Sequence, residues 1–374
     1  MKKVLLTATV QSHIAQFHKP LINLLKGKNI QVDIAARDNL KEKNGLAIEN
    51  VDHIYDIKFS RSPLSTDNIK AYKELKHILE SNDYNVIHCN TPMGGIVTRL
   101  AARKYRKKGL KVIYTVHGFH FYKGASKKNW LIYYPIEKLF SKITDVLITI
   151  TNEDYQLAKE KFNCCVKHIH GVGVNEEKYL SISQEENEIF KDSFKNRFVI
   201  LCTGELNNNK NQTTVIKAIK NIIDEYPDIL LLLAGNGPNE QNLRDLINEL
   251  NLNKNVQLLG YRTDLERYVN ACDLVVSASF REGLPLNIME GMICKKAIIA
   301  SNNRGHRELV NDGVTGYLVN PNDSQQFSRY IKELLEDKEK RITFGLNGFD
   351  KVQAFKTINV KKELEQIYDE ILKG

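Results

Sequence analysis

Two glutamates stand eight positions apart in the segment Arg281-Glu282-Gly283-Leu284-Pro285-Leu286-Asn287-Ile288-Met289-Glu290. A Gly/Pro turn separates them. Pro285 predicts a helix start, because proline is tolerated at the first helical position. Exposed backbone N–H groups from Gly283 through Leu284 to Leu286 can hold a phosphate there, helped by the helix dipole. Glu290, about one turn into the helix, is placed to accept hydrogen bonds from a ribose diol. Glu282 and Arg281, before the turn, face the remaining end of such a ligand. As a bare spacing E-x7-E is common; a preceding apolar strand, Leu274–Ser277, makes it informative.

Three upstream junctions share that strand–turn–helix character. Thr203-Gly204-Glu205-Leu206-Asn207-Asn208-Asn209-Lys210 follows a predicted strand. Gly204 permits close backbone approach, and Lys210 supplies a mobile point charge for a diphosphate. Ala234-Gly235-Asn236-Gly237-Pro238 and Gly260-Tyr261-Arg262 close the next two strands, and at Arg262 backbone groups could read a base edge. Together these junctions outline a nucleotide site. In the first half, His117 precedes Gly118 at a strand's carboxyl end, and Ser12 and His13 lie at the first strand-to-helix junction. His117 is the expected site residue, and Ser12 and His13 are candidates for an acceptor or a phosphate. His18 reads as core packing, and His88, His120 and His170 as structural or peripheral. With no D-x-D sequence and no His/Cys group at zinc-ligand spacing, no metal is expected. No cofactor is expected either, the diphosphate being met by Lys210, arginine and helix N-termini. A serine-hydrolase elbow and a G-x-G-x-x-G after the first strand are both missing, which argues against hydrolysis and nicotinamide chemistry.

The elements that must position these residues alternate short apolar strands with longer amphipathic helices. Strands are predicted at Val4–Val10, Ile30–Ala35, His53–Ile57, Val86–Cys89, Val112–Val116 and Val146–Thr151. After a polar stretch from Ser181 to Asn196, the best linker candidate, they resume at Phe198–Thr203, Ile229–Ala234, Val256–Leu259, Leu274–Ser277, Ala297–Ala300 and Tyr317–Val319. Continuous apolar strands followed by helices mean parallel sheets covered on both faces. The fold class is therefore α/β, with two doubly wound domains, 1–180 and 181–357, and a last helix, 358–374, packing back onto the first. Ligands bind at the carboxyl ends of such strands, so two facing domains imply a deep cleft between them. The chain of 374 residues, 42% apolar and 26% charged, suits soluble globular domains and excludes disordered and collagen-like classes. The apolar run from Val4 to Ala8 is too short for a signal-peptide core. Six cysteines without a C-x-x-C pair read as free thiols in a reducing cytosol.

Charge is distributed unevenly. The net +9 is the difference between a basic first half and a slightly acidic second. No acid occurs between Asp83 and Glu137, where ten basic residues fall: Arg99, Arg103, Lys104, Arg106, Lys107, Lys108, Lys111, Lys123, Lys127 and Lys128. Phe119, Phe121, Tyr122, Trp130, Tyr133 and Tyr134 are interleaved with them. Rings at headgroup depth with cations on lipid phosphates make an interfacial anchor. The expected partner is an anionic membrane surface rather than nucleic acid, for which no motif is present.

These residues resemble the retaining glycosyltransferases of family 4, which have two facing Rossmann-like domains, the glycosyltransferase B-type fold. The resemblance covers essentially the whole chain. It rests on the E-x7-E segment, the Gly204–Lys210 loop, RTDLERYVNACDLVVSAS and GVTGYLV. The segments SHIAQFHKP, HCNTPMGG and YTVHGFHFYKG…NWLIYYPIEK are similar to the subgroup that builds capsular and exopolysaccharide repeat units. The resemblance implies a peripheral enzyme on the cytoplasmic inner face of the plasma membrane. It would use a UDP-sugar, an N-acetylated hexosamine type being the narrower expectation, and a lipid-diphosphate-linked sugar acceptor. Alternatives are a nucleotide-sugar 2-epimerase of the same fold and a non-catalytic membrane-associated nucleotide-binding protein. Carried over by position, Glu282 holds the donor sugar's hydroxyls, Glu290 the ribose and Lys210 the diphosphate, and His117 lies beside the transferred sugar. Two departures stand out. Many members have an arginine directly after Gly204 where this chain has Glu205, leaving Arg281 or Arg304 to restore the charge. The usual double glycine of the first loop is replaced by Thr9-Val10-Gln11-Ser12-His13.

Overall fold

The computed structural model describes residues 1–42, 46–195 and 197–373. Asn196, the end of the expected linker, and Gly374, the end of the expected last helix, lie outside them. The chain forms two compact units, Met1–Gly173 with Thr357–Gly374, and Val174–Lys356. The boundaries expected from sequence were 180/181 and 357/358. The first falls earlier because Tyr179, on the short helix Glu176–Leu180, is buried in the core of the second unit.

Among the described residues the first unit has seven strands: β1 (Lys3–Val10), β2 (Gln31–Arg37), β3 (His53–Asp56), β4 (Val86–Asn90), β5 (Lys111–Val116), β6 (Val146–Thr149) and β7 (Cys165–His168). They pair in parallel in the order β3-β2-β1-β4-β5-β6-β7. β1 and β4 are buried along nearly their whole length, as their continuous apolar runs require. β7, Cys-Val-Lys-His at the sheet edge, was not expected; half-exposed and polar, it carries no apolar run to betray it. Cys165 there is exposed, whereas Cys89, Cys202 and Cys272 are buried, and all are free.

The second unit has β8 (Phe198–Thr203), β9 (Ile229–Ala234), β10 (Val256–Gly260), β11 (Leu274–Ser277), β12 (Ala297–Ser301) and β13 (Gly316–Val319), in the parallel order β10-β9-β8-β11-β12-β13. Both sheets are therefore doubly wound, and each reverses direction beside its first strand, between β1 and β4 or between β8 and β11. A crevice opens at the carboxyl ends of strands at such a switch point. The expected linker is instead largely helical. Ser183 and Glu186 form a reciprocal capping box on the helix Gln184–Asp192, and Phe190 and Phe194 pack against the core. The last helix, Thr357–Lys373, belongs to the first unit, where the Tyr368 hydroxyl meets His88 Nδ1 at 2.8 Å.

The basic, aromatic window is sorted by the fold into an inner and an outer set. Arg99 is fully buried, pairs with Glu137 at 2.9 Å and stacks 4.0 Å from the Tyr114 ring centroid. Arg106 is bound to Asp145 at 2.7 Å. Phe119 and Phe121 are buried, with Trp130 and Tyr134 packed on them. These six groups do not form a lipid-facing anchor as the sequence suggested. What the helix Lys127–Ser141 does expose is Leu131, Ile132, Tyr133, Ile136 and Leu139, with Lys127, Lys128 and Lys138 around them. Among the described residues no helix is long and apolar enough to cross a membrane.

Candidate functional site

In the second unit the two carboxylates flank one helix start, Leu286–Ile293. Pro285 is its N-cap rather than its first helical residue, and no side chain caps it. The first N–H groups of a helix lack intrahelical partners, so those beginning at Leu286 remain available to an anion, with Gly283 and Leu284 in the turn leading to them. The helix Arg304–Leu309 packs directly on that turn, for a Cβ on Gly305 would lie 2.3 Å from the Gly283 carbonyl oxygen.

Glu282 is bound by Lys210, whose Nζ lies 2.6 Å from Oε1. Burial opposes ionisation of Glu282, but the charges of Lys210 and His306 with hydrogen bonds from Lys210 and Ser279 outweigh it and hold the carboxyl below the usual range. Lys210 is aimed by its own loop. Its backbone N–H donates to Asn207 Oδ1 at 2.9 Å, while Asn209 Nδ2 donates to the Arg281 carbonyl at 2.9 Å. Gly204 sits at φ 145°, and a Cβ there would lie 3.2 Å from Lys210 Cε, so the glycine keeps the lysine's path open. Glu290 behaves oppositely to Glu282. Burial raises its carboxyl above the ordinary range, against a hydrogen bond from the Tyr179 hydroxyl.

The remaining donor-side candidates are less committed to the site. Arg262 is held by Asp264 through two hydrogen bonds, of 2.8 and 2.7 Å, on its own turn. Arg281 is exposed, whereas Arg304 is buried. Glu205 is exposed and accepts from Asn207 Nδ2 at 3.0 Å. His306, which sequence reasoning missed, is fully buried, its Nε2 has no hydrogen-bond partner, and burial pushes its pKa down to about 4. It lies just after β12, and the strand–turn–helix logic used elsewhere would have found it. Tyr179 had no such signal, being far from Glu290 in sequence.

In the first unit, residues after β1, β4 and β5 converge. His13 Nε2 lies 3.3 Å from His117 Nε2, and His117 Nε2 lies 3.2 Å from Asn90 Oδ1. Ser12 is clamped by Asn39, which accepts from its backbone N–H at 3.0 Å and donates to its hydroxyl at 2.9 Å; Ser12 thus fixes the loop that presents His13. Thr91, at φ 65°, hydrogen-bonds both the backbone N–H and the hydroxyl of Thr9, joining the ends of β1 and β4. His18 closes the group: ligand atoms of His13, His18 and His117 all lie within 4.8 Å of one another. Sequence spacing hid this cluster because His18 breaks the chain between the helices Gln11–Phe17 and Lys19–Gly27. Burial pushes the pKa of His117 down to about 4, and burial with neighbouring imidazoles lowers those of His13 and His18. A cavity of about 700 Å³ opens onto His13, lined also by Arg61, Met93, His120, Tyr133 and Glu137.

Two sheets with sites at their switch points define a two-domain α/β enzyme class, and the comparisons name it. Residues 3–151 match the family described as "Glycosyl transferase 4-like" and residues 183–351 that of "Glycosyl transferases group 1". The chain is 37% identical, over 98% of its length and 96% of the relative's, to "Putative glycosyltransferase EpsD" of Bacillus subtilis (strain 168). It is 29% identical to the "UDP-Gal:alpha-D-GlcNAc-diphosphoundecaprenol alpha-1,3-galactosyltransferase" of Escherichia coli, covering 82% of this chain and 81% of that one. "Anabaena Alr3699/HepE in complex with UDP and glucose" shares its fold with a TM-score of 0.79 at 20% identity, over 99% of this chain and 100% of that one. The chain belongs to the family 4 glycosyltransferases with the B-type fold, of the exopolysaccharide and capsule type.

Proposed function

We propose that this glycosyltransferase moves a sugar from a UDP-sugar, an N-acetylated hexosamine type being the narrower choice, to a lipid-diphosphate-linked saccharide in capsule or exopolysaccharide synthesis. The observation that carries the reading is the uncapped helix start at Leu286 with Glu282 and Lys210 before it and Glu290 within it. A diphosphate at that start draws Lys210 away from Glu282. The released carboxylate then accepts from the donor sugar's hydroxyls and supports charge at the reacting carbon. Glu290 and Gly204 serve the nucleoside and diphosphate, and His117 acts on the sugar being transferred. We assign retention of the anomeric configuration to same-face attack assisted by the leaving phosphate, with electrostatic stabilisation supplying most of the catalysis. The relatives support the substrates: the Escherichia coli protein's name specifies UDP-Gal and a diphosphoundecaprenol-linked acceptor. The exposed apolar residues of the helix Lys127–Ser141, with Arg103, Lys104, Lys107 and Lys108 also exposed, support peripheral binding to the inner membrane face.

The test is a panel of UDP-sugars offered with lipid-diphosphate-linked acceptors in anionic liposomes, with product mass and anomeric configuration determined. A retained linkage on the lipid acceptor, and co-flotation of the protein at low salt, are expected. An inverted linkage removes the mechanism, loss of UDP-sugar without acceptor points to the epimerase, and failure to float removes the membrane role.

A further inference from the structure

The helix Pro92–Ala102, which follows β4, has two unlike faces. Its inner face is held close to the sheet by two glycines. A Cβ on Gly94 would lie 3.0 Å from the Thr9 backbone nitrogen, and one on Gly95 2.6 Å from Tyr114 Cε2. The outer face carries Met93, Ile96, Val97 and Leu100, at the spacing that forms one stripe along a helix. That stripe lines a groove of about 1110 Å³, whose opposite wall includes Leu64 and Ile69. Leu64 is 93% exposed, Ile69 59% and Leu100 42%, so the groove offers water a run of large aliphatic groups. A contiguous apolar surface of this kind marks a binding site.

The two ends of the groove differ in what they meet. At the Met93 end it runs into the 700 Å³ cavity at His13, because Pro63, Met93 and Ile96 line both. Arg61 lines that cavity beside the junction, is exposed, and is near enough for its charge to lower the His13 pKa. At the other end the apolar stripe gives way to Arg103, Lys104 and Lys107, all exposed. The helix between the ends has 11 residues, a length of about 16 Å.

We propose that this groove binds the chain of a polyprenyl diphosphate, with Arg61 on its phosphates. The proposal rests on the lipid-diphosphate acceptor read above and gives that lipid its place. The saccharide then occupies the cavity at His13, and the chain runs along Met93, Ile96 and Leu100. It leaves beside Arg103, Lys104 and Lys107, which meet the phosphates of the surrounding membrane. Charge complementarity and the open junction both favour this occupant. One cation stands where the diphosphate joins the chain, and no charged side chain lines the wall until the far end.

The test is calorimetric titration of the full-length protein with farnesyl diphosphate, a short soluble polyprenyl diphosphate, and with inorganic diphosphate. Membrane is absent, and saturating UDP fills the helix start at Leu286. We expect one farnesyl diphosphate per chain, bound at least tenfold more tightly than inorganic diphosphate. Leu100→Asp and Ile69→Asp should each weaken it at least tenfold, about 1.4 kcal/mol, and Arg61→Gln should weaken it too. Leu346→Asp, at an exposed helix position of the second unit, should not. Circular dichroism confirms that each variant is folded, and Leu64→Asp replaces any that is not. Absence of binding, or unchanged binding by the folded groove variants, overturns the proposal. So does displacement by phosphatidylglycerol as readily as by unlabelled farnesyl diphosphate, which assigns the groove to bulk lipid. A wild-type dimer that Leu100→Asp dissociates, with farnesyl diphosphate binding unchanged, makes it a contact between copies and overturns it as well. The acceptor reading fails separately. Groove-dependent farnesyl diphosphate binding without transfer to any lipid-linked saccharide retains the groove and removes that reading. Transfer with an unchanged KM for the long-chain acceptor in Leu100→Asp removes the groove alone.

Discussion

Each unit gathers ionisable side chains at the carboxyl ends of its central strands, by opposite means. In the second, Lys210 and Glu282 are opposite charges, so proximity keeps the carboxylate ionised although it is largely withdrawn from water. In the first, His13, His18, His88 and His117 are like groups, so burial and proximity together suppress their positive charge. Desolvation disfavours charge in both places; the neighbour's sign decides the outcome. One site is therefore a poised ion pair that an anionic ligand can divide, and the other a neutral cluster of lone pairs and N–H groups.

Acidification should expose this contrast most strongly. A histidine whose folded pKa lies below its unfolded value near 6.5 takes up a proton on unfolding, so its unit loses stability as pH falls from about 6.5 toward the folded value. His88 and His117, pushed down to about 3 and about 4, fit that case in the first unit. Each should cost about 2 kcal/mol at pH 5, with His13 and His18 adding to it. Only His306, at about 4, is comparably placed in the second unit among the described residues. Glu282 has the opposite sign: its depressed pKa contributes stability above the unfolded carboxylate value of about 4.3, lost only as pH falls through the folded value. The single tryptophan, Trp130, lies in the first unit and reports its unfolding by fluorescence. In urea its midpoint should drop between pH 7.5 and pH 5, ahead of hydrogen exchange in the second unit's strands. Equal shifts in both units would dissolve the comparison.

Dividing the ion pair chemically should have the next largest effect. Glu282→Gln should lower turnover by about 10²–10³, as expected for a group that stabilises developing charge, while UDP affinity stays close to wild type. Lys210→Ala should instead weaken UDP by roughly tenfold or more, from about 1.5–3 kcal/mol for a hydrogen bond to a charged group. Calorimetry with UDP and steady-state rates separate the two. Unchanged UDP binding in Lys210→Ala would mean that the pair serves the fold alone.

The smallest effect is expected at Arg281. Its exposed position limits an electrostatic contribution to about 1 kcal/mol or less, so Arg281→Gln should reduce UDP affinity less than about fivefold. A loss as large as that of Lys210→Ala, in the same titration, would instead make Arg281 the replacement for the arginine that Glu205 displaces.

What was legible in the sequence is what is local. The buried strands β8, β9 and β11 could be read to the residue, because a doubly covered parallel strand must be apolar throughout. The junctions at Gly204, Gly235 and Pro285 were legible because turn and helix-start chemistry acts over a few residues. Only the sheet order brings Lys210 to Glu282, 72 positions apart, and His13 to His117, 104 positions apart. Tertiary packing also divided the basic, aromatic window, turning Arg99 and Trp130 inward while leaving Leu131 and Leu139 exposed. Residue type sets what a side chain can do. Whether it ends beside an opposite charge, a like group or water depends on which strands become neighbours, and that is decided by the burial of the whole chain at once.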